Sequence, residues 1–264
     1  MELRDLTYTR IGQVGLITLN RPEVLNALRR ETFDDLAAVL QEAKSDKNLR
    51  CLVITGNGQA FSAGQDLTEL SSLAQQEIDY YAIRENVQQM QELTKTMLDM
   101  PKPVIAAVNG YAIGAGAELA IACDIRYASE KASFEFSEVK VGLFETNGVT
   151  WLLPRLIGLG RAKELMLTGR RIDVNEAAQI GLVATISSPD KLLHNALARA
   201  EEIAKGAPVP IRFVKSTLNK SGEVGIDEAL VHETDAVMTC FYTEDVKEGA
   251  LAFIEKREPQ FKGR

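Results

Sequence analysis

The chain has 264 residues, 45% of them hydrophobic and 25% charged, a composition typical of folded globular proteins and unlike that of disordered chains. Its formal net charge of -7 argues against nucleic acid as the main partner, because binding a phosphate backbone requires a broad basic face. Two histidines and three widely separated cysteines argue against a zinc site, and we expect no metal.

The first ten residues, MELRDLTYTR, carry charges throughout, unlike a secretory signal, and no apolar run reaches the roughly 20 residues that cross a bilayer. We therefore expect a cytoplasmic protein with no membrane partner. In that reducing compartment, Cys51, Cys123 and Cys240 are expected to be buried thiols.

Strands and helices alternate through the first two thirds of the chain. VGLITLN, from Val14 to Asn20, predicts a strand, and apolar residues at helical spacing predict a helix within residues 26–46. LRCLVITGNG, residues 49–58, is typical of a buried strand closed by a turn. PVIAAVNGYAIG, residues 103–114, predicts a similar strand, followed by a helix from about Gly116 to Cys123. This alternation predicts an α/β architecture with much parallel pairing.

From Asn195 onward the pattern is helical throughout, with Gly and Pro at the joints. We therefore divide the chain into an α/β core, residues 1–194, and a helical C-terminal region, residues 195–264. Helices with this much apolar surface at a chain end serve packing or oligomerisation more often than chemistry.

The segment VNGYAIGAGAELAIACDIRYAS, residues 108–129, places three glycines ahead of a single carboxylate, Glu118, in an apolar stretch. A glycine-rich turn that opens a helix indicates that something anionic is held there. The spacing differs from G-x-G-x-x-G, and G-x-x-x-x-G-K-[ST] does not occur, which disfavours a nucleotide loop. The alternative is a helix N-terminus directed at an oxyanion that develops in a transition state.

An oxyanion site needs two convergent donors, and the sequence offers two. The amide of Ala115 lies at the start of the predicted helix, with Glu118 three residues on. GQAFSAGQDL, residues 58–67, again joins a strand to small residues and glycine, and offers a second amide. In a dry site one such donor is worth about 3 kcal/mol of barrier. FSEVKVGLFETNG supplies two further carboxylates for acid–base work, Glu138 and Glu145.

Six segments in order along essentially the whole chain resemble the crotonase superfamily, and in particular enoyl-CoA hydratases. They are LNRPEVLNAL, AFSAGQDL, VNGYAIGAGAELAIACDIRYAS, FEFSEVKVGL, LTGRRIDVNEAAQIGLV and TEDVKEGALAFIEKR. The resemblance implies a spiral core of ββα repeats and a C-terminal helical region that builds a homo-oligomer, either a trimer or a dimer of trimers. It also implies an acyl-CoA thioester substrate and no cofactor, since coenzyme A enters as part of the substrate.

The same resemblance assigns roles to individual residues. The backbone amides of Gln65 and Ala115 form the oxyanion hole, and Glu118 and Glu138 are the two catalytic glutamates. Lys256 matches a lysine that reaches a CoA phosphate in the neighbouring subunit. The remaining positions matched to CoA-contacting segments are Val24, Leu25, Ala27, Ala63, Gly64, Asp66 and Leu67.

Two positions depart from the pattern of the hydratases. Ala115 stands where many members have glycine, although a backbone donor survives this change if the dihedrals stay helical. LFETNGVT, residues 143–150, stands where many have Pro-Gly, and some isomerases place an aspartate one residue beyond the position of Glu145. Glu145 is therefore a third active-site acid, a polar contact in the acyl pocket, or a solvated loop residue.

The leading hypothesis is reversible syn hydration of a trans-2-enoyl-CoA to a 3-hydroxyacyl-CoA, because both glutamates are present. The nearest alternative is an enoyl-CoA isomerase of the Δ3-Δ2 or ring-opening type, for which one carboxylate suffices. A noncatalytic RNA-binding or scaffold relative on the same fold is the third interpretation. The resemblance further implies that the amphipathic segment from Tyr80 to Met100 can wall the acyl tunnel.

Overall fold

The computed structural model describes residues 2–66 and 79–264 of the chain. Its strands are β1 (Leu6–Ile11), β2 (Val14–Leu19), β3 (Cys51–Gly56), β4 (Ala60–Ser62), β5 (Val104–Val108), β6 (Tyr111–Ile113), β7 (Ile125–Ser129), β8 (Ser133–Glu135), β9 (Arg171–Asp173) and β10 (Thr185–Ser187).

The described helices are α1 (Arg30–Ser45), α2 (Tyr80–Asp99), α3 (Ala115–Ala122), α4 (Val149–Ile157), α5 (Leu159–Thr168), α6 (Val174–Gln179), α7 (Leu192–Ala204), α8 (Pro208–Lys220), α9 (Ile226–Phe241) and α10 (Glu244–Glu255). Short 3-10 turns cover Pro22–Val24 and Glu138–Val141. None of the helices described here combines the length and apolar character needed to cross a membrane.

The larger sheet has the strand order β1-β2-β3-β5-β7-β10 in the described part of the chain. Within this sheet, β1 and β2 pair antiparallel, and every other neighbouring pair of described strands is parallel. β3 and β5 are buried on both faces, which explains their unbroken apolar sequences, since a parallel sheet is covered on both sides. The predicted α/β class with parallel pairing is confirmed.

A smaller sheet of order β4-β6-β8-β9 lies beyond the first within the described residues. Each of its strands β4, β6 and β8 follows a strand of the larger sheet after a short turn. β5 and β6 then lead directly into α3, which is one ββα repeat. The repeats therefore bring the segments that follow β4, β6 and β8 to the same side of the molecule.

Helix α1 begins at Arg30, four residues later than the sequence pattern suggested. The reason lies in the preceding turn, where Leu25 and Asn26 have positive φ angles of 53° and 56° and so cannot continue a helix. This turn proves important for the site, because it carries several of the residues predicted to contact CoA.

Helix α7 packs on one face of the larger sheet rather than standing apart from it. Leu192, Ala196 and Ala200 are buried against a cluster of side chains from β2, β3, β5 and β7. The predicted boundary between residues 194 and 195 falls inside this helix, and the division into two regions stays a prediction. Of the three cysteines, Cys51 and Cys123 are buried as expected, whereas Cys240 on α9 is only half-buried.

A buried ion pair attaches α8 to this core. The Lys215 ammonium group donates to the Asp124 carboxylate at 2.8 Å and to the carbonyl oxygen of Met97 at 2.8 Å. Asp124 also accepts from the backbone N–H of Val104. A buried charge is tolerated when it is paired and hydrogen-bonded in this way, so removing one partner is costly.

Candidate active site

The backbone segments carrying the two predicted oxyanion amides touch each other. Gly64, at the end of β4, has a φ of +91°, and a β-carbon there would lie 2.7 Å from the carbonyl oxygen of Ile113 and 3.5 Å from the nitrogen of Ala115. Only glycine permits both this dihedral angle and this approach. Ala115 is the first residue of α3, so its N–H has no partner inside the helix. The amides of Gln65 and Ala115 are therefore neighbours.

The turn before α1 is bonded to the segment after β4. Leu25 accepts from the N–H of Ala63 at 2.9 Å, and Leu28 donates to Gly64 at 2.7 Å and accepts from Asp66 at 2.9 Å. These bonds bring Val24, Leu25 and Ala27 alongside residues 63–66. Asp66 also pairs with Arg21 at 3.0 Å, which fixes the same region from the other side.

Asn26 holds this turn in place, a role that the sequence analysis did not predict. Its side chain is 2% exposed, accepts from the N–H of Arg21, and donates to the carbonyl oxygens of Asn57 and Ala60. An asparagine with positive φ inside the matched segment LNRPEVLNAL was the available signal, because Asn tolerates this conformation better than most residues.

A cavity of about 440 Å³ opens beside the two amides. Of the predicted site residues, Ala63, Gly64, Gln65, Ala115, Glu118 and Glu138 line it. Helix α2 contributes Ile83, Asn86, Val87 and Met90 to the opposite wall, and residues 141–146 supply Val141, Leu143, Phe144 and Thr146. The predicted amphipathic helix therefore does form a wall of the cavity.

A larger cavity, of about 730 Å³, lies elsewhere and includes none of the predicted site residues. It contains Arg50 and Lys102, which precede β3 and β5, and so lies at the amino ends of these parallel strands. Ligands of open α/β sheets bind at the carboxyl ends instead. The smaller cavity, beyond those carboxyl ends, is therefore the candidate active site.

Glu118 is almost completely buried, at 1% exposed, in the first turn of α3. Its Oε1 accepts from the backbone N–H of Thr146 at 3.0 Å, and its Oε2 accepts from the side-chain amide of Asn147 at 2.6 Å. Burial raises the pKa of this carboxyl, while these donors and the backbone of Asn147 oppose the rise by stabilising the charged form. Glu118 is thus a buried carboxylate with dedicated donors.

Glu138 opens the 3-10 turn at the end of the segment after β8 and faces the start of α3. Its Oε2 is buried and has no hydrogen-bond partner among the described residues. Burial and the negative charge of Glu118 raise the pKa of Glu138 to about 7. A carboxyl group in this state retains its proton at neutral pH for a large part of the time, as a general acid requires.

The two glutamates therefore differ in a way that divides acid from base. Glu118 receives donors that favour its ionised form, whereas Glu138 has a buried oxygen without a donor and a pKa near neutrality. Pairs of titratable groups whose surroundings separate them in this manner are typical of acid–base catalysis. The neighbouring amides of Gln65 and Ala115 can meanwhile stabilise negative charge on an oxygen.

The other predicted site residues in the described part of the chain lie outside the cavity wall. Glu145 is 6% exposed, so it is not a solvated loop residue, and its Oε1 has no partner in the described part of the chain. Lys256 is exposed at the C-terminal end of α10. Val24, Leu25, Ala27 and Asp66 flank the cavity through the bonds described above, and Leu67 lies outside the described residues.

Comparison with known proteins shows the family of the chain. The family model for enoyl-CoA hydratase/isomerase matches residues 9–264. The chain belongs to the enoyl-CoA hydratase/isomerase family. It is similar to a short-chain-enoyl-CoA hydratase of Clostridium acetobutylicum, with 38% identity over 100% of both chains. A crotonyl-CoA hydratase of Syntrophomonas wolfei is 37% identical, with 99% of each chain covered.

Solved structures of this family share the fold. The crystal structure of an enoyl-CoA hydratase from Bacillus anthracis superimposes with a TM-score of 0.93 at 36% identity, covering 99% of this chain and 100% of that one. The fold predicted from the sequence is therefore that of solved enoyl-CoA hydratases.

Proposed function

We propose that this protein is an enoyl-CoA hydratase, which adds water reversibly to a trans-2-enoyl-CoA and forms a 3-hydroxyacyl-CoA. One observation carries the proposal: two glutamates with different surroundings, buried Glu118 and half-buried Glu138, line the same cavity as two neighbouring backbone amides. Hydration needs both an acid and a base, and an oxygen that can accept charge. The relatives named as hydratases support the same reaction.

The substrate thioester binds with its carbonyl oxygen between the amides of Gln65 and Ala115. As the hydroxyl group of water attacks C3, the electron pair of the C2–C3 double bond moves toward the carbonyl and gives an enolate. Preorganised N–H groups lower the free energy of that enolate more than that of the neutral thioester, so they accelerate the step.

Proton transfer is divided between the two glutamates. Ionised Glu118 takes a proton from the attacking water, and protonated Glu138 gives its proton to C2 of the enolate. Glu118 then holds a proton and Glu138 a charge, and a proton returned through solvent or directly between them restores the starting state. The proposal places both carboxyl groups on one side of the bound substrate, so the hydroxyl group and the proton add to the same face.

Coenzyme A is proposed to lie along Val24, Leu25, Ala27 and residues 63–67, with Lys256 of a neighbouring subunit at a phosphate group. Large apolar side chains are exposed at the end of α9 (Phe241), directly after it (Tyr242) and on α10 (Phe253 and Ile254), and they support a homo-oligomer. A trimer or a dimer of trimers, a cytoplasmic location and a reaction without metal or redox cofactor belong to the same proposal.

Isomerisation is the nearest alternative, and the product distinguishes the two reactions. We would incubate the protein with crotonyl-CoA, follow the absorbance of the conjugated thioester, and determine the product mass. Loss of absorbance with a product one water heavier supports hydration. A 3-enoyl-CoA serves as the second substrate: double-bond migration in it, without addition of water to crotonyl-CoA, would replace the proposed hydratase with an isomerase.

A further inference from the structure

Among the described residues, Asn147 is the one whose side chain donates a hydrogen bond to Glu118. Its amide nitrogen lies 2.6 Å from Oε2 of Glu118, and the side chain is 5% exposed. It belongs to LFETNGVT, the segment that departs from the Pro-Gly pattern of many hydratases. The donor is thus a feature of this chain's own loop.

We propose that Asn147 is a positioning residue, which holds the Glu118 carboxylate in one orientation and in its ionised form for proton abstraction. The proposal rests on the hydratase function above and adds a residue to it. Asn147 does not itself line the described cavity, so it acts through Glu118.

Geometry gives the first argument. With Thr146 N–H on Oε1 and the Asn147 amide on Oε2, each oxygen of Glu118 has a donor, and rotation of the carboxylate breaks at least one bond. Asn147 is in turn fixed by its place in the chain. The next residue, Gly148, caps the N-terminus of α4, and its carbonyl oxygen accepts from the N–H groups of Trp151 and Leu152 at 3.0 Å.

The charges around Glu118 give the second argument. The ionisable groups that face it are Glu138, in the 3-10 turn, and Glu145, in the loop, and both are acidic. The buried residues of α2 and α4, and the strands β4 and β6 packed near α3, are uncharged. No described lysine or arginine forms an ion pair with Glu118. Hydrogen-bond donors are therefore its stabilising partners in the described surroundings.

The orphan oxygen of Asn147 shows which partner orients the side chain. Its Oδ1 is buried and has no hydrogen-bond partner among the described residues. A buried amide that leaves its own oxygen unsatisfied costs free energy. Among the described interactions, the hydrogen bond to Glu118 offsets this cost. Such an arrangement is expected if the amide serves to donate to Glu118 rather than to stabilise its own loop.

Two variants separate the donor from the shape of the side chain. Asn147→Ala removes the amide and leaves the main-chain donors, and Asn147→Leu keeps the branched shape but has no donor. A hydrogen bond to a charged group is strong enough to move a titration by about one pH unit. In Asn147→Ala we expect the acid limb of the kcat profile to move up by about one pH unit, so that kcat at a pH well below the midpoint of the limb is about tenfold lower, with KM little changed. Asn147→Leu should shift the limb about as far.

Asn195→Ala is the control, because it also deletes a side-chain amide, a half-buried one on α7 that donates to the Ser187 hydroxyl at 2.9 Å. It should leave the acid limb in place. If both Asn147 variants also leave it in place, the proposal is wrong, even if kcat falls. Should Asn147→Ala fail to fold, Asn147→Leu alone decides, since it keeps the branched shape of the side chain.

A second readout does not depend on hydration. In protein labelled with carbon-13 at the glutamate side-chain carboxyl, the Glu118 signal can be assigned by comparison with Glu118→Gln and titrated. The signal in Asn147→Ala should titrate at a higher pH than in the unsubstituted protein. An unchanged titration would overturn the proposal, whereas a shifted titration in a protein that does not hydrate crotonyl-CoA would overturn the proposed function alone.

Discussion

The carboxylate of Glu138 lies directly against Gly114, the residue immediately before α3. A β-carbon at Gly114 would come within 2.8 Å of Glu138 Oε1, closer than ordinary van der Waals contact allows. Gly114 also has a φ of +50°, which side chains rarely adopt. One glycine therefore sets both the start of the helix that carries Glu118 and the position of the second glutamate.

Gly114→Ala should lower kcat by about 10- to 100-fold, because it displaces Glu138 and strains the first turn of α3, and small misplacements of catalytic groups have large effects. Gly12→Ala is the control. Gly12 lies in the turn between β1 and β2 with a φ of +59°, and a β-carbon there would have no atom within 4 Å. Its substitution by alanine therefore introduces comparable backbone strain without a clash. Equal kcat values in the two variants would contradict this account.

Glu118→Gln and Glu138→Gln should each reduce the rate of hydration at least about 100-fold, the usual contribution of a positioned acid or base. Both changes keep the size of the side chain. Near-normal hydration by either variant would remove that residue from the mechanism. Glu145→Gln is a useful comparison, because Glu145 is buried but does not line the cavity, and we expect it to retain most of the rate. A 100-fold loss there would make Glu145 a third catalytic acid.

The raised pKa of Glu138 predicts a pH dependence of stability. In the folded protein its pKa is about 7 rather than the ordinary 4.5, so the stability associated with its protonated form is fully present below about pH 4.5 and is lost as the pH rises through 7. Glu138→Gln removes this loss. Between pH 5 and pH 8, the free energy of unfolding of the unsubstituted protein should therefore fall by about 1 to 2 kcal/mol more than that of the variant, after allowance for the partial exposure of Glu138. Urea unfolding at both values tests this, and a gap independent of pH would contradict it.

The same pKa predicts the basic limb of the rate profile. Protonated Glu138 is the form that donates to C2, so kcat/KM should decline as the pH rises above about 7. The limb should disappear or move in Glu138→Gln, measured on the residual activity.

Lys256→Ala should raise KM for the CoA thioester more than it lowers kcat, because its proposed contact is with the CoA phosphate and not with the reacting atoms. Lys247→Ala provides the control, since it removes the same charge from an exposed position on the same helix, α10. A defect confined to kcat, or equal effects of both variants, would argue against the proposed contact.

Much of the cavity could be predicted because its residues follow local rules. Gly114, ahead of Glu118, and Gly64, after β4, have positive φ angles and lie close to neighbouring atoms. Because these conditions favour glycine over other residues, the glycines are recognisable in the sequence. Helix α3 and the parallel strands were readable from their apolar runs. Predicting Glu138 required the family resemblance as well, because its neighbouring residues do not indicate that its side chain faces α3.

Long-range packing was not readable in the same way. Helix α7 packs on the sheet through the small residues Ala196 and Ala200, which look like ordinary helix formers in the sequence. Asn147 is a similar case. Its value lies in a contact with Glu118, 29 positions away in the chain, and only the fold brings the two together.

The most direct test of the account is hydration of crotonyl-CoA in deuterium oxide, with the position and face of the added deuterium determined by NMR. Hydration by Glu118 and Glu138 from one side of the cavity predicts one deuterium at C2, on the same face as the C3 hydroxyl group. Addition to opposite faces, or deuterium incorporated without addition of water, would contradict it.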